Sequence, residues 1–443
     1  MKQKYEMERN LDIKMDNRMD MEAKVNRYLL LALEAHLNGN QKVAWEEEIS
    51  LASWQLLFEK ASKQHVLPMV YEAVYACQSF KPYAQQPGLF YKNQVLQNVF
   101  LQAGKTAEFL RLYGYLAEKG IRPLVVKGII CREIYPAPDH RLSGDEDILI
   151  RWEEYQACHE LLTAFGMRIS GNADDAESAY EVPYVKPGSN LYIEVHKALF
   201  PPDSEAYGEF NEIFQGFRER GITEMVQDVP ILTMEYSDHI LYLISHAFKH
   251  FMHSGFGIRQ VCDIVMYARA YGDRIDWNRV LVQCRKIHAD VFTAALFEIG
   301  RRYLGFDSQK AHLSQEWEKI EVDPTDLLED MLSGGVYGAA DKQRAHSSNI
   351  TLNAVVSSKK SRESGKRASG GYVLKTIFPP RKSMESRYPW LKKYPFLLPA
   401  AWISRILKYH AETKKGNPEN NAAESIRIGN ERVELMRKYK IIK

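Results

Sequence analysis

The stretch from Lys127 to Arg151, KGIICREIYPAPDHRLSGDEDILIR, decides how the rest of the chain is read. Just before it, LVV has the short apolar run of a buried strand, and IICREIYP starts a helix directly from Lys127-Gly128. A polar turn, APDHRLSG, leads into DEDILI, where acidic and apolar residues alternate as in a strand with two unlike faces. Side chains two apart on a strand share a face, so Asp145 and Asp147 project together while Glu146 and Ile148 point the other way.

Working outward, RWEEYQACHELLTAFG reads as a helix ending at Gly166, followed by strand-like MRIS, YEVPYV and NLYIEVHKALF. In the last of these, Glu194 projects with His196. Upstream, residues 20–115 carry apolar residues at three- and four-residue spacing with few Gly or Pro, and Lys119-Gly120 with Pro123 stops the last helix. Residues 204–300 read as helical again, and residues 340–371 are rich in Ser, Lys, Arg and Gly, the composition of a linker. The fold class expected is therefore α+β, a small mixed-sheet unit between helical subdomains. The divisions are 1–115 helical, 116–203 α/β core, 204–335 helical, 336–371 linker and 372–443 a basic, aromatic-rich region.

Three carboxylates converging from Asp145, Asp147 and Glu194 raise one another's pKa unless something positive compensates them. Hard oxygen ligands suit Mg²⁺ or Mn²⁺, and two such ions can activate an attacking oxygen and neutralise a leaving pyrophosphate. An Asp-x-Asp alone usually marks a solvated strand edge. Here a Gly precedes the pair, an apolar run follows it, and an apolar-flanked acid comes later.

At 443 residues the chain is long enough for two or three cores, and 45% apolar with 26% charged residues is a globular composition. The net charge of +2 gives no warrant for a nucleic-acid partner. Cys77, Cys131, Cys158, Cys262 and Cys284 are scattered singly, which argues against a disulfide framework or zinc ribbon and for a reducing, cytoplasmic setting. The charged N-terminus has no apolar signal region. The nearest approach to a membrane span, PFLLPAAWISRIL, is too short and contains Pro399.

These residues resemble the bacterial group of uncharacterised nucleotidyltransferase family proteins, within the superfamily that includes DNA polymerase beta. The resemblance rests on Lys127-Gly128, Tyr135-Pro136, Arg141, Gly144-Asp145-Glu146-Asp147, the apolar run after them, and Glu194-Val195-His196. It extends over residues 40–300 and, faintly, to SGGVYG at 333–338. It implies a minimal nucleotidyltransferase core in which Asp145, Asp147 and Glu194 are catalytic and hold two Mg²⁺ or Mn²⁺ ions. It also implies an NTP as substrate, with Lys127, Gly128, Arg141 and Gly144 as nucleotide contacts. Lys127-Gly128 stands where the wider superfamily has Gly-Ser. A Lys supplies a point charge to a triphosphate, but the Ser hydroxyl contact is missing.

His239, His246, His250 and His253 fall seven, four and three apart, one stripe of a helix. The plainest expectation is a polar interface against the α/β unit, with a substrate-lining role for His196, His246 and His250 as the sharper one. Arg259 and Asp263, four apart, are expected to pair. Between Lys359 and Lys393 there are eleven Lys or Arg and two acids, with Tyr372, Phe378, Tyr388 and Trp390 among them. Such a region suits RNA or an anionic membrane surface as well as a solvated loop. The expected reaction is transfer of a nucleoside monophosphate from an NTP to an acceptor with release of pyrophosphate. The acceptor is open among a small molecule, a peptide or protein side chain, and RNA. Two rivals are a non-catalytic transferase-like binding protein in a biosynthetic assembly and a toxin-like transferase acting on tRNA.

Overall fold

The computed structural model describes residues 21–39, 41–43, 45, 48–171, 173, 175–334, 342–364, 378–385, 387–414 and 422–443. The N-terminal helices are α1 (21–37), α2 (Leu51–Lys63), α3 (Leu67–Val74) and α4 (Gly88–Glu118). The stop after α4 is a Schellman arrangement. Gly120 takes φ +89°, its N–H bonds Ala117 O, and Ile121 N–H reaches back to Leu116 O.

From there the chain enters strand β1 (Leu124–Val126), helix α5 (Gly128–Arg132), strand β2 (Glu146–Leu149) and helix α6 (Tyr155–Ala164). Strands β3 (Arg168–Ile169), β4 (Glu181–Val185), β5 (Tyr192–His196), β6 (Ile222–Val226) and β7 (Val229–Thr233) complete a seven-stranded sheet. Its order is β3-β4-β5-β2-β1-β7-β6. It is mixed: β2 runs antiparallel to β1 and parallel to β5, and β1 runs parallel to β7. An α+β fold with a mixed sheet is the expected class.

The sheet is larger than the sequence reading allowed. Residues 222–233 form the hairpin β6–β7, where helix was expected, so the sheet continues past residue 203. The hairpin turns through Gln227 and Asp228, both at positive φ, without the Gly that usually signals such a turn. Pro230 sits inside β7, a further reason the run does not read as a strand.

Period-two alternation gives the sheet two unlike faces. Val125, Ile148, Ile193 and Val195 face α4 and α6 and build one apolar core with Phe109, Tyr113, Cys158 and Leu162. Leu124, Val126 and Leu149 face the other way, into a larger core formed with the helices that follow. These are α7 (Tyr236–His253), α8 (Ile258–Tyr271), α9 (Trp277–Lys286) and α10 (Asp290–Tyr303). All five cysteines are free and buried.

After the short helices α11 (Gln315–Glu318) and α12 (Thr325–Gly334), residues 342–364 form helix α13, which corrects the linker reading for that segment. Residues 335–341 and 365–371 of that segment, and part of SGGVYG, lie outside the described residues. The serines that suggested a linker are small residues at a close helix contact: Ser347, Ser348 and Ser358 are buried. The partner is the C-terminal helix Ala422–Lys438, where a Cβ on Gly429 would stand 2.8 Å from Ile350. No described helix is long and apolar enough to cross a membrane.

Candidate active site

Asp147 lies opposite Glu194 in the parallel pairing of β2 with β5, so both acids leave the sheet on the α7 side. His196, two residues along β5, joins them on that face. Each of the three presents one ligand atom, and these atoms all lie within 4.8 Å of one another. They open onto a cleft of about 300 Å³ between the sheet and helices α7 and α8.

Both oxygens of Asp147 are engaged. Oδ2 lies 2.8 Å from Lys127 Nζ, and Oδ1 lies 2.9 Å from His196 Nε2. Burial would raise the Asp147 carboxyl, but Lys127 and His196 beside it hold it well below the carboxylate range. Burial would lower Lys127, yet Asp147 keeps its ammonium charged. His196 also stands 3.6 Å from Glu194 and 3.7 Å from Glu181. Burial pulls its imidazole down, but these carboxylates outweigh that and lift it to about 9. Glu194 is raised, first by burial and then by the charges of Asp147, Asp145 and Glu181, against the lowering contact with His196. The face thus holds more acid than its lysine and protonated histidine cancel.

Asp145 precedes β2, half-buried at the cleft, and stands outside the three-residue ligand group. Glu146, between the two aspartates, belongs to the opposite side. It accepts from Ile129 N–H at 2.8 Å and pairs with Arg132, with Ser143 Oγ 3.0 Å away. Gly128 lines the cleft at φ +29°, and a Cβ there would fall 2.0 Å from the Glu146 carboxylate, so that carboxylate requires glycine. Lys127 itself adopts φ +54°, and its N–H donates to His239 Nε2 at 3.1 Å.

Arg141 reaches the cleft wall but is buried against Asp263, with Nε at 3.0 Å and Nη2 at 2.7 Å from the two carboxylate oxygens. Tyr135 donates to the same acid at 2.8 Å. The expected Arg259–Asp263 pairing is replaced by this one. Arg259 donates instead to Leu142 O, and its Nε has no hydrogen-bond partner among the described residues. Arg141 holds the acid through two parallel charge-assisted bonds, the stronger geometry for a guanidinium and a carboxylate. Gly144 is exposed, its carbonyl accepting from Lys105 at 3.0 Å.

The histidine stripe divides along α7. His239 is sealed against Thr233 and Tyr267, and burial lowers it to about 3. His246 and His250 line the cleft with their Nε2 atoms 3.1 Å apart, and His246 Nε2 is 3.0 Å from Lys127 Nζ. His253 lines the cleft as well.

Two charged cleft residues escaped the sequence reading. Glu181 pairs across β4–β5 with His196, a contact that only the register creates. Lys249, one position before His250, lines the cleft with no hydrogen bond or ion pair to any described residue. Burial lowers its pKa, opposed by Glu181, Asp147 and Glu194. The signal for Lys249 was a lysine among histidines on an amphipathic helix, which by itself is common.

Comparison with curated proteins and with solved structures gives no match. A family model described as an uncharacterised nucleotidyltransferase matches residues 50–305, more than half of the 443-residue chain. That span runs from the N-terminal helices through the whole sheet to α10, and so contains every cleft residue named above. The chain belongs to this uncharacterised nucleotidyltransferase family, and it is an enzyme of the nucleotidyltransferase class.

Proposed function

We propose that this enzyme transfers a nucleoside monophosphate from an NTP to an acceptor, releasing pyrophosphate, with Mg²⁺ or Mn²⁺ bound at Asp147, Glu194 and His196. The observation that carries the reading is the Asp147–Glu194 pairing with His196 beside it, three ligand atoms within 4.8 Å on the wall of a cleft. The residues fit a hard divalent cation: two carboxylates and an imidazole are present, and Asp147 and Glu194 beside it favour a proton on His196. Cation binding would displace that proton. Asp145 and the phosphates of the substrate would supply ligands to a second ion.

When bound, the metal would polarise the attacking oxygen and offset charge on the phosphates. The chain's own residues do the rest. Lys127 holds Asp147 ionised and oriented, and Gly128 and Glu146 fix the backbone that aims Lys127. Lys249 and Arg259 bring positive charge to the cleft, where substrate phosphates are the natural counter-charge. The acceptor oxygen gives up its proton to solvent as it forms a bond to the α-phosphorus, the α–β phosphoanhydride bond breaks, and pyrophosphate leaves with the electron pair. The catalytic unit in this reading comprises the sheet with α7–α10, and the setting is cytoplasmic.

The test is incubation with each α-³²P-labelled NTP and Mg²⁺ or Mn²⁺, using cell extract as the acceptor pool. Label transfer that disappears in an Asp147→Asn/Glu194→Gln variant supports the reading, and the labelled species names the acceptor class. Equal labelling by the wild type and the variant contradicts it.

A further inference from the structure

The segment 378–414 folds into a small unit of its own design. Met384, Tyr388, Leu391 and Ala401 form a core, with Leu398 and Trp402 packed against it. Trp402 Nε1 donates to Pro379 O at 2.8 Å, and its ring meets Phe378 edge-on. This buries one face of the helix Leu398–Lys414.

Apolar side chains also stay exposed on this helix and just before it. Phe396 is 75% exposed, Ile403 59% and Leu407 63%, with Trp390, Tyr394 and Leu397 also on the surface. Ile403 and Leu407 are four apart on one face of the helix. Lys392 and Lys393 are exposed between Trp390 and Tyr394. Across 378–414 the sequence carries eight Lys or Arg against Glu385 and Glu412.

We propose that this unit docks the enzyme on an anionic lipid bilayer, with the helix Leu398–Lys414 lying in the interface. Phe396, Ile403 and Leu407 would enter the acyl boundary while the exposed Arg387, Lys392 and Lys393 meet the headgroups. Trp and Tyr beside them suit the headgroup level. The charge balance selects this occupant. A second copy seated symmetrically would bring two strongly basic surfaces together. An RNA strand would be stacked by the aromatics but has no use for exposed Ile403 and Leu407. No described helix is long and apolar enough to cross a membrane, so the unit would lie on the surface.

The test is co-sedimentation of the full chain with vesicles of equal parts phosphatidylglycerol and phosphatidylcholine, against vesicles of phosphatidylcholine alone. The wild type is expected to pellet with the anionic vesicles only, and less at high salt. Ile403→Asp/Leu407→Asp should weaken binding at least tenfold, and Lys392→Glu/Lys393→Glu several-fold with loss of the salt effect. Both pairs are exposed, and unchanged thermal melts would show that folding is intact. Should a variant misfold, quenching of wild-type tryptophan fluorescence by brominated anionic lipid reads insertion without any substitution. Failure of the wild type to pellet, equal pelleting by Ile403→Asp/Leu407→Asp, or absence of quenching overturns the proposal. So does a patch that instead mediates self-association or RNA binding without affinity for vesicles.

Discussion

Glu146 and Asp147 are neighbours on one strand, both buried acids paired with a cation, and they do different work. Glu146 is enclosed: its carboxylate is shared by Arg132, Ser143 and the Ile129 N–H, with Arg132 only 1% exposed. Asp147 faces a cleft, beside Glu194 and His196, whose three ligand atoms lie within 4.8 Å of one another. Burial and ion pairing are common to both. In the proposed mechanism, what separates the structural acid from the reactive one is the open volume beside it and the second carboxylate and imidazole that share it.

The comparison breaks most readily by swapping the insults. Asp147→Asn is expected to cut nucleotidyl transfer roughly a thousandfold, about 4 kcal/mol of transition-state stabilisation, while the fold survives. Glu146→Ala should instead strand Arg132 and cost about 3–5 kcal/mol in a urea titration. Were Glu146→Ala to melt like the wild type and Asp147→Asn to unfold the protein, the division of labour would be reversed.

The pH dependence sharpens the same contrast from a third buried group. His239 is neutral because its Nε2 accepts from Lys127 N–H, and burial lowers it to about 3, whereas in the unfolded chain it titrates near 6.5. Below about pH 6.5 the unfolded state binds the extra proton, so stability falls as pH drops from there toward 3. The loss is on the order of a few kcal/mol, and His239→Gln should flatten that part of the stability profile. The smallest effect is expected at Lys249. Lys249→Met should weaken pyrophosphate binding by about tenfold, roughly 1.4 kcal/mol, and leave stability equal or improved, because it removes a half-buried ammonium that has no hydrogen bond or ion pair among the described residues.

Much of this face is legible in the sequence because strands impose a strict period of two. Asp145-Glu146-Asp147 and Glu194-Val195-His196 sort onto faces by parity alone, and an apolar run against a Gly predicts β1 and the start of α5. What stays hidden depends on register or on partners distant in the chain. Glu181 enters the site only because β4 pairs it with His196. Asp263 goes to Arg141, more than a hundred residues away, over its helical neighbour Arg259. The β6–β7 hairpin lacks its usual turn residues, and α13 uses serine where helices usually use alanine. Asp145 shows the limit of parity: it lines the cleft, yet it lies before the strand and outside the ligand group.

The most direct test of the account is calorimetric titration of Mn²⁺ into the wild type, Asp147→Asn/Glu194→Gln and Glu146→Gln, with the melting temperature of each recorded. The account predicts binding by the wild type with proton release, none by the cleft variant, and near-normal binding by Glu146→Gln despite its lowered melting temperature. Equal Mn²⁺ binding by the wild type and the Asp147→Asn/Glu194→Gln variant would contradict it.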